Sequence, residues 1–367
     1  HGFKDAVLKF VMAGGGTGGH LFPALALAEE LKARDAGAEI TFIGARHGFE
    51  ESVVPKYGFP LMLLGVEGVK GRRGLKRVLA LIKAAGALVR AFFILRAIRP
   101  DGVIGSGSYA SLPVVAAARL LRLKTAVLEQ NAMPGLTNRA LGRFVDRIYA
   151  SFDESRAFFP QTRVVLSGNP IRREILAAMD EKEERPSGRF TILVFGGSQG
   201  AKAINAAFLD ASEYLSDIWP RLRVIHQTGK DGYEAVMAAY RRKELKAEVH
   251  EFIEDMAGVY RDSDLVLCRA GATSIAELTA MGLPSIQVPY PFAADNHQEF
   301  NALSLEKKGA AIVIRQDKLT GWRLADEIRR LYKNPDELKK MASRSKGLGR
   351  PRAASDIADD FMGLLSA

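Results

Sequence analysis

Lys9-Phe10-Val11-Met12-Ala13 runs directly into Gly14-Gly15-Gly16-Thr17-Gly18-Gly19-His20. The first run is short and apolar after its lysine, as a buried strand is, and the second is a glycine turn broken only by Thr17. A helical pattern follows from about Phe22 to Arg34, with Pro23 placed for a first helical turn. Strand, glycine turn and helix together open a parallel α/β domain. The same device returns at Phe190-Thr191-Ile192-Leu193-Val194-Phe195, followed by Gly196-Gly197-Ser198-Gln199-Gly200-Ala201. The fold predicted is therefore α/β, with two doubly wound Rossmann-like domains facing a central cleft. Ligands of such sheets bind beyond the carboxyl ends of the strands, so the shared cleft is the expected site.

Further strands are predicted at Ile40–Ile43, Gly102–Ile104, Thr125–Glu129, Arg147–Ala150 and Arg163–Leu166. In the second half they fall at Arg223–Gln227, Glu248–Phe252, Leu265–Cys268, Ser285–Val288 and Ala311–Ile314. Between the halves lie the turn Gly168-Asn169-Pro170 and the polar segment from Ala177 to Arg189, read as the inter-domain connection. A last helix, about Ala353 to Leu365, carries Ala354, Ile357, Ala358, Phe361 and Leu365 on one face and must dock on one of the domains.

The 367 residues suit two domains of ordinary size. A lone cysteine, Cys268, excludes an internal disulfide and suits a reducing compartment. His1 to Lys9 holds no long apolar stretch, so no signal peptide is expected, and no apolar run is long enough to span a bilayer. The net charge of +10 is concentrated. Between Gly68 and Pro100 stand Lys70, Arg72, Arg73, Lys76, Arg77, Lys83, Arg90, Arg96 and Arg99, with no acid among them. Leu75, Val78, Leu79, Ile82, Val89 and Phe93 recur there at helical spacing. A basic amphipathic segment of this kind can rest on an anionic membrane surface, with Leu75, Lys76, Leu79, Ile82 and Lys83 as the contact patch, although part of its apolar face must serve the core. No basic-aromatic module for nucleic acid is present.

The glycines of the first turn let backbone approach a ligand, and the helix start behind them offers N–H groups and positive potential. The spacing fits neither a P-loop nor the dinucleotide fingerprint, and a tight turn without a ligand is the plainer alternative. His20 closes the turn at a helix N-terminus, where the macrodipole favours neutral imidazole. A neutral ring can accept a proton at pH 7; otherwise His20 merely caps the loop. The second turn can wrap a phosphate or acceptor group by the same logic. In Cys268-Arg269-Ala270-Gly271-Ala272-Thr273-Ser274-Ile275-Ala276-Glu277 a strand meets small residues and a helix begins near Thr273. Amides and hydroxyls there can hold a diphosphate, and Glu277, one turn on, can accept from both hydroxyls of a ribose. Its alternative is a capped helix with a solvated glutamate. Arg172 can pair with a phosphate or a base edge, or be an ordinary surface arginine. Gln298 offers donor and acceptor atoms suited to sugar hydroxyls. Asp262-Ser263-Asp264 has the look of a metal signature but precedes its strand, on the wrong edge, and is read as a surface turn. No metal ligand and no cofactor are assigned.

Six motifs in order resemble the MurG family of bacterial glycosyltransferases. They are Gly15-Gly16-Thr17-Gly18-Gly19-His20, Glu129-Gln130-Asn131-Ala132, Gly168-Asn169-Pro170-Ile171-Arg172, Gly196-Gly197-Ser198-Gln199-Gly200-Ala201, Cys268-Arg269-Ala270-Gly271-Ala272 and the stretch from Gln298 to Ala302. The resemblance covers the chain nearly end to end and implies the GT-B fold. It implies an inverting transfer of N-acetylglucosamine from UDP-N-acetylglucosamine to the 4-hydroxyl of undecaprenyl-pyrophosphoryl-N-acetylmuramoyl-pentapeptide, on the cytoplasmic face of the cell membrane. Residues 1–167 would form the acceptor and membrane-associating domain, and 168–350 the donor domain, with a helix at about 351–367 returning to the first.

By the same resemblance Ile253 presents backbone atoms to uracil and Arg172 lies by the nucleotide. The helix start of Ala272, Thr273, Ser274, Ile275 and Ala276 holds the phosphates, Glu277 the ribose and Gln298 the donor sugar. Thr17, Gly18, Gly19, Asn131 and Ser198 match further donor contacts. His20 is the first candidate for the catalytic base and Glu129 the second. The sequence departs from the family pattern at Leu128, where a histidine is usual, at Gly107-Ser108-Tyr109 for Gly-Gly-Tyr, and at Leu112 for a glycine. These departures fall on the acceptor side. A UDP-N-acetylglucosamine epimerase of the same fold, an NAD-dependent oxidoreductase and a basic membrane-binding protein are the competing readings.

Overall fold

A computed structural model describes residues 7–46, 48–65, 75–179, 188–197 and 199–366, the side chains of 75–82 excepted. The chain divides into two units, His1–Arg172 with Pro351–Ala367, and Arg173–Arg350.

In the first unit seven strands pair in parallel: β1 (Lys9–Ala13), β2 (Glu39–Ala45), β3 (Leu61–Leu64), β4 (Gly102–Gly105), β5 (Lys124–Glu129), β6 (Arg147–Ala150) and β7 (Val164–Leu166). Their order is 3-2-1-4-5-6-7. The helices are α1 (Gly18–Arg34), α2 (Glu50–Val53), α3 (Leu75–Ile98), α4 (Ser111–Leu120) and α5 (Leu136–Leu141). Alternation along β1 builds both faces of the sheet. Phe10 and Met12 join Leu21 and Leu25 of α1, while Val11 and Ala13 join Ala91 and Leu95 of α3 and Val114 of α4. Burial on both faces is why these strands read as continuous apolar runs.

The second unit repeats the plan. Its strands are β8 (Phe190–Phe195), β9 (Leu222–Gln227), β10 (Glu248–His250), β11 (Leu265–Cys268), β12 (Ser285–Gln287) and β13 (Ala311–Val313), all parallel in the order 10-9-8-11-12-13. Its helices are α6 (Arg173–Ala178), α7 (Lys202–Tyr214), α8 (Tyr233–Arg242), α9 (Met256–Asp262), α10 (Ala272–Met281), α11 (His297–Lys307), α12 (Gly321–Lys333) and α13 (Pro335–Leu348). One core gathers Ile192 and Val194 of β8 with Ile204 and Phe208 of α7 and Leu324 and Ile328 of α12.

The last helix, α14 (Ala353–Ser366), packs against α1 of the first unit. Phe361 is fully buried there, its ring 6.3 Å from that of Phe10. A Cβ at Gly102 would lie 2.5 Å from the Phe361 ring, so glycine at the start of β4 makes room for this helix. Asp360 accepts from Tyr149 Oη at 2.8 Å and pairs with Arg147 at 3.0 Å.

Some elements differ from the sequence reading. The first helix begins at Gly18 and places Pro23 inside it, because Thr17, extended at φ −142° and ψ 158°, is the N-cap. The glycines expected to stay in the turn enter the helix, at a propensity cost of about 1 kcal/mol each. Strand β3 escaped notice because Leu61-Met62-Leu63-Leu64 has neither alternation nor β-branching. The strand expected to reach Phe252 stops at His250.

Strand order reverses between β1 and β4 in one sheet and between β8 and β11 in the other. The turns leaving these strands flank the switch points, where parallel sheets take their ligands.

Candidate functional site

At the carboxyl edge of the first sheet the glycine turn is shaped by groups packed too close for any other residue. Gly14 and Gly15 have φ of +134° and +147°. A Cβ on Gly14 would stand 2.3 Å from Ser106 Oγ, and one on Gly15 would stand 2.4 Å from the Glu50 carboxyl carbon. Glu50 is fully buried and accepts from Gly16 N at 2.6 Å and Ala45 N at 2.7 Å. Gly44 and Gly48 leave room for the same carboxylate. Sequence reasoning missed Glu50, since a glutamate opening a four-residue helix carries no signal of its own.

His20 lies on the first turn of α1, half-buried. Its Nδ1 stands 3.1 Å from Gln130 Oε1. Gln130, 1% exposed, also donates from Nε2 to the Ser106 carbonyl at 3.1 Å. Thr17, the exposed N-cap, makes no capping bond with its side chain. Three buried polar atoms near this turn have no partner: Ser106 Oγ, Ser108 Oγ and Asn138 Oδ1. Such atoms are unusual in folded proteins.

Glu129, the second candidate for the base, is buried at the end of β5. It is 1% exposed, and its oxygens accept from Asn131 N and Asn138 Nδ2, each at 2.9 Å. Its carboxyl group thus holds Asn131 and Asn138. Burial pushes its carboxyl up to about 7, against the opposing pull of these amides. The unfolded chain releases this proton near pH 4.5 and the folded chain keeps it to about 7. Its contribution to stability is therefore full below pH 4.5 and is lost as pH rises through 7. Glu129→Gln lacks this titration. Calorimetric melting at pH 5 and pH 8 should show the variant's stability deficit against the parent shrinking by a few kcal/mol at the higher pH.

Arg172 is the last residue of the first unit, and its guanidinium lies over the Phe22 ring of α1 at 5.5 Å. The sequence reading had set it in the donor domain.

In the second unit the edge is built by the same devices. Gly200, at φ +74°, approaches the Thr228 carbonyl so closely that a Cβ would lie 2.0 Å from that oxygen. Gln227 joins two parts of the edge, donating to the Gly197 carbonyl at 3.0 Å and accepting from Ile253 N at 2.8 Å. The Ile253 N–H is thus engaged within the protein. Beneath lies a network in which His226 joins Tyr240 Oη at 3.0 Å and Asn205 Oδ1 at 3.1 Å. Asn205 Nδ2 in turn holds the Thr228 carbonyl at 3.0 Å. Burial takes His226 down to about 3, so the ring stays neutral.

Helix α10 starts one residue before Thr273, behind Gly271, with no acid in its first turn. Glu277 is 3% exposed and accepts from Tyr260 Oη at 3.2 Å, so it is not a solvated surface glutamate. Arg269 donates to the carbonyls of Val288 and Pro289 and to Gln316 Oε1, and lies over the Tyr290 ring. The turn it holds presents Tyr290 N to Gln298 Oε1 at 3.0 Å. Asp295 and Asn296, at φ 51° and 55°, bend the chain into α11 just before Gln298. Asp262 pairs with Arg223 and Asp264 accepts from Thr191 N, both before β11, as a structural turn would. Cys268 is buried.

The expected site residues therefore gather at two sheet edges. Thr17, Gly18, Gly19, His20, Glu129 and Asn131 stand on one; Ile253, Ala272 to Glu277 and Gln298 stand on the other. Ser198 lies outside the described residues, as do the side chains of Leu75, Lys76, Leu79 and Ile82; Lys83 is exposed on α3. Among the described residues no helix is long and apolar enough to cross a membrane. Gln130, Gln227 and Arg269 lay within or beside the motifs but carried no assigned role.

Residues 10–150 match the N-terminal domain of glycosyltransferase family 28, and residues 191–357 its C-terminal domain. The UDP-N-acetylglucosamine–N-acetylmuramyl-(pentapeptide) pyrophosphoryl-undecaprenol N-acetylglucosamine transferase of Syntrophus aciditrophicus is 48% identical over 98% of this chain and 99% of its own. That of Myxococcus xanthus is 47% identical over 98% of this chain and 94% of its own. The crystal structure of Acinetobacter baumannii MurG superposes with a TM-score of 0.80 at 30% identity, covering 97% of this chain and 99% of that one. A UDP-GlcNAc 2-epimerase from Neisseria meningitidis, 13% identical, shares the fold at a TM-score of 0.69. With two Rossmann-like domains of the GT-B type and close identity along nearly its whole length, the chain belongs to the MurG family of N-acetylglucosaminyltransferases.

Proposed function

We infer that the chain transfers N-acetylglucosamine from UDP-N-acetylglucosamine to lipid-linked N-acetylmuramoyl-pentapeptide, converting lipid I to lipid II in peptidoglycan synthesis. The observation that carries this reading is the division of equipment between the sheet edges. One bears a histidine on a glycine turn beside buried polar atoms in want of partners. The other bears a helix start with Thr273 and Ser274 and a buried carboxylate one turn on.

In the reaction the acceptor's 4-hydroxyl attacks the anomeric carbon. The bond from that carbon to the diphosphate breaks with its electron pair, UDP leaves from the opposite face, and the configuration inverts. The hydroxyl proton passes to His20 Nε2. The growing charge on the diphosphate is met by the N-terminus of α10 and the hydroxyls of Thr273 and Ser274. Gln298 takes the sugar, Glu277 the ribose and the Ile253 carbonyl the uracil, while Thr17, Gly18, Gly19, Asn131 and Ser198 complete the donor contacts. Acceptor-dependent transfer of labelled sugar is the test. An epimer formed from the donor alone would count against the reading.

The first unit rests on an anionic membrane at the cytoplasmic face. In support, Val89 and Phe93 on α3 are 55% and 64% exposed, one helical turn apart, with Lys83 exposed on the same helix. Val89→Asp/Phe93→Asp should lose most binding to vesicles containing anionic lipid, measured by co-sedimentation, while transfer to a detergent-soluble acceptor persists. Undiminished sedimentation would remove α3 from this role.

A further inference from the structure

Two bonds of Gln130 decide which nitrogen of His20 carries the proton. The Ser106 carbonyl can only accept, so the Gln130 atom facing it at 3.1 Å is the amide nitrogen. The other end of that amide, 3.1 Å from His20 Nδ1, is therefore the oxygen, which can only accept. Neutral imidazole meets it only by holding its hydrogen on Nδ1, which leaves the lone pair on Nε2. Gln130 is 1% exposed at the end of β5, so its amide is held against rotation by its surroundings. A ring free to exchange tautomers would spend part of its time with Nε2 protonated and unable to accept.

We propose that Gln130 is a positioning residue for this transfer, fixing His20 in the Nδ1-protonated tautomer so that Nε2 receives the acceptor's proton. The proposal rests on His20 being the base. An amide suits the task better than a carboxylate would. It accepts from Nδ1 and so orients the ring without setting a charge beside it. Charged groups on the surrounding elements are Glu129, next to Gln130; Glu50 of α2, bonded to Gly16 N; and Arg172, over Phe22. Glu129 itself titrates at about 7, so the pH profile is also taken in Glu129→Gln/Gln130→Glu, where a limb that still moves belongs to position 130.

Three measurements test this. In the parent protein, long-range nitrogen–proton NMR of the His20 ring should show the hydrogen on Nδ1; a ring protonated on Nε2 would overturn the proposal without any variant. Gln130→Leu should lower kcat about tenfold to a hundredfold, with the KM for UDP-N-acetylglucosamine unchanged. Gln130→Glu should stabilise the imidazolium and move the acidic limb of the kcat–pH profile upward by about one unit or more. Parental kcat in Gln130→Leu, or an unmoved limb in Gln130→Glu, would refute it, provided that His20→Ala is inactive. Full turnover in His20→Ala would instead dismiss His20 as the base, a separately recognisable failure.

Discussion

His20→Ala is expected to lower turnover by about 10²- to 10⁴-fold, the usual worth of a positioned general base. Donor affinity should hardly change, because the diphosphate, ribose and donor sugar are assigned to α10 and α11 and the donor contacts of Thr17, Gly18 and Gly19 are untouched by the substitution. The loss should therefore appear in kcat and not in the donor KM, the pattern of an interaction made only in the transition state. The substitution is also gentle to the fold. His20 is half-buried on the first turn of α1, and the core below it is made by Leu21, Leu25 and their neighbours. Steady-state kinetics with the acceptor saturating would decide the matter, and a variant with parental turnover would remove His20 from the role.

Glu277→Ala should produce the second large effect, and in a different quantity. A charged acceptor bonded to sugar hydroxyls contributes about 1.5–3 kcal/mol. That corresponds to a loss of UDP affinity of roughly tenfold to a hundredfold, readable by calorimetry. The carboxylate is already oriented by Tyr260 Oη, so little ordering remains to be done on binding. Glu277→Gln keeps the shape and should lose less. Equal UDP affinity in parent and alanine variant would place the ribose elsewhere.

Much of this molecule was legible in its sequence because the carrying signals are local. Apolar strands running into glycine turns at Ala13 and Phe195 disclosed both sheets, and each turn falls at a switch point. The helix start at Ala272 and the histidine at the first turn were visible for the same reason. What escaped depends on packing between distant segments. Glu50 acts on a turn more than thirty residues away, and the glycines that make room for it look like ordinary turn residues until the carboxylate is in place. Gln227 and Arg269 act through carbonyls and amides that only the sheet register brings near. Glu129 reads from the sequence as a second base, and its burial and its two amide donors are visible only once the strand is folded. Arg172, at the boundary between the units, lies over Phe22, a contact that the sequence does not disclose.

In the mechanism proposed above, amides and hydroxyls at the start of α10 stabilise a departing diphosphate while His20 takes the acceptor's proton. The most direct measurement is the rate of sugar transfer from labelled UDP-N-acetylglucosamine to a lipid-linked muramoyl-pentapeptide analogue, with and without excess chelator. Acceptor-dependent product should form at the same rate in both. Transfer abolished by chelator and restored by a divalent cation would contradict it.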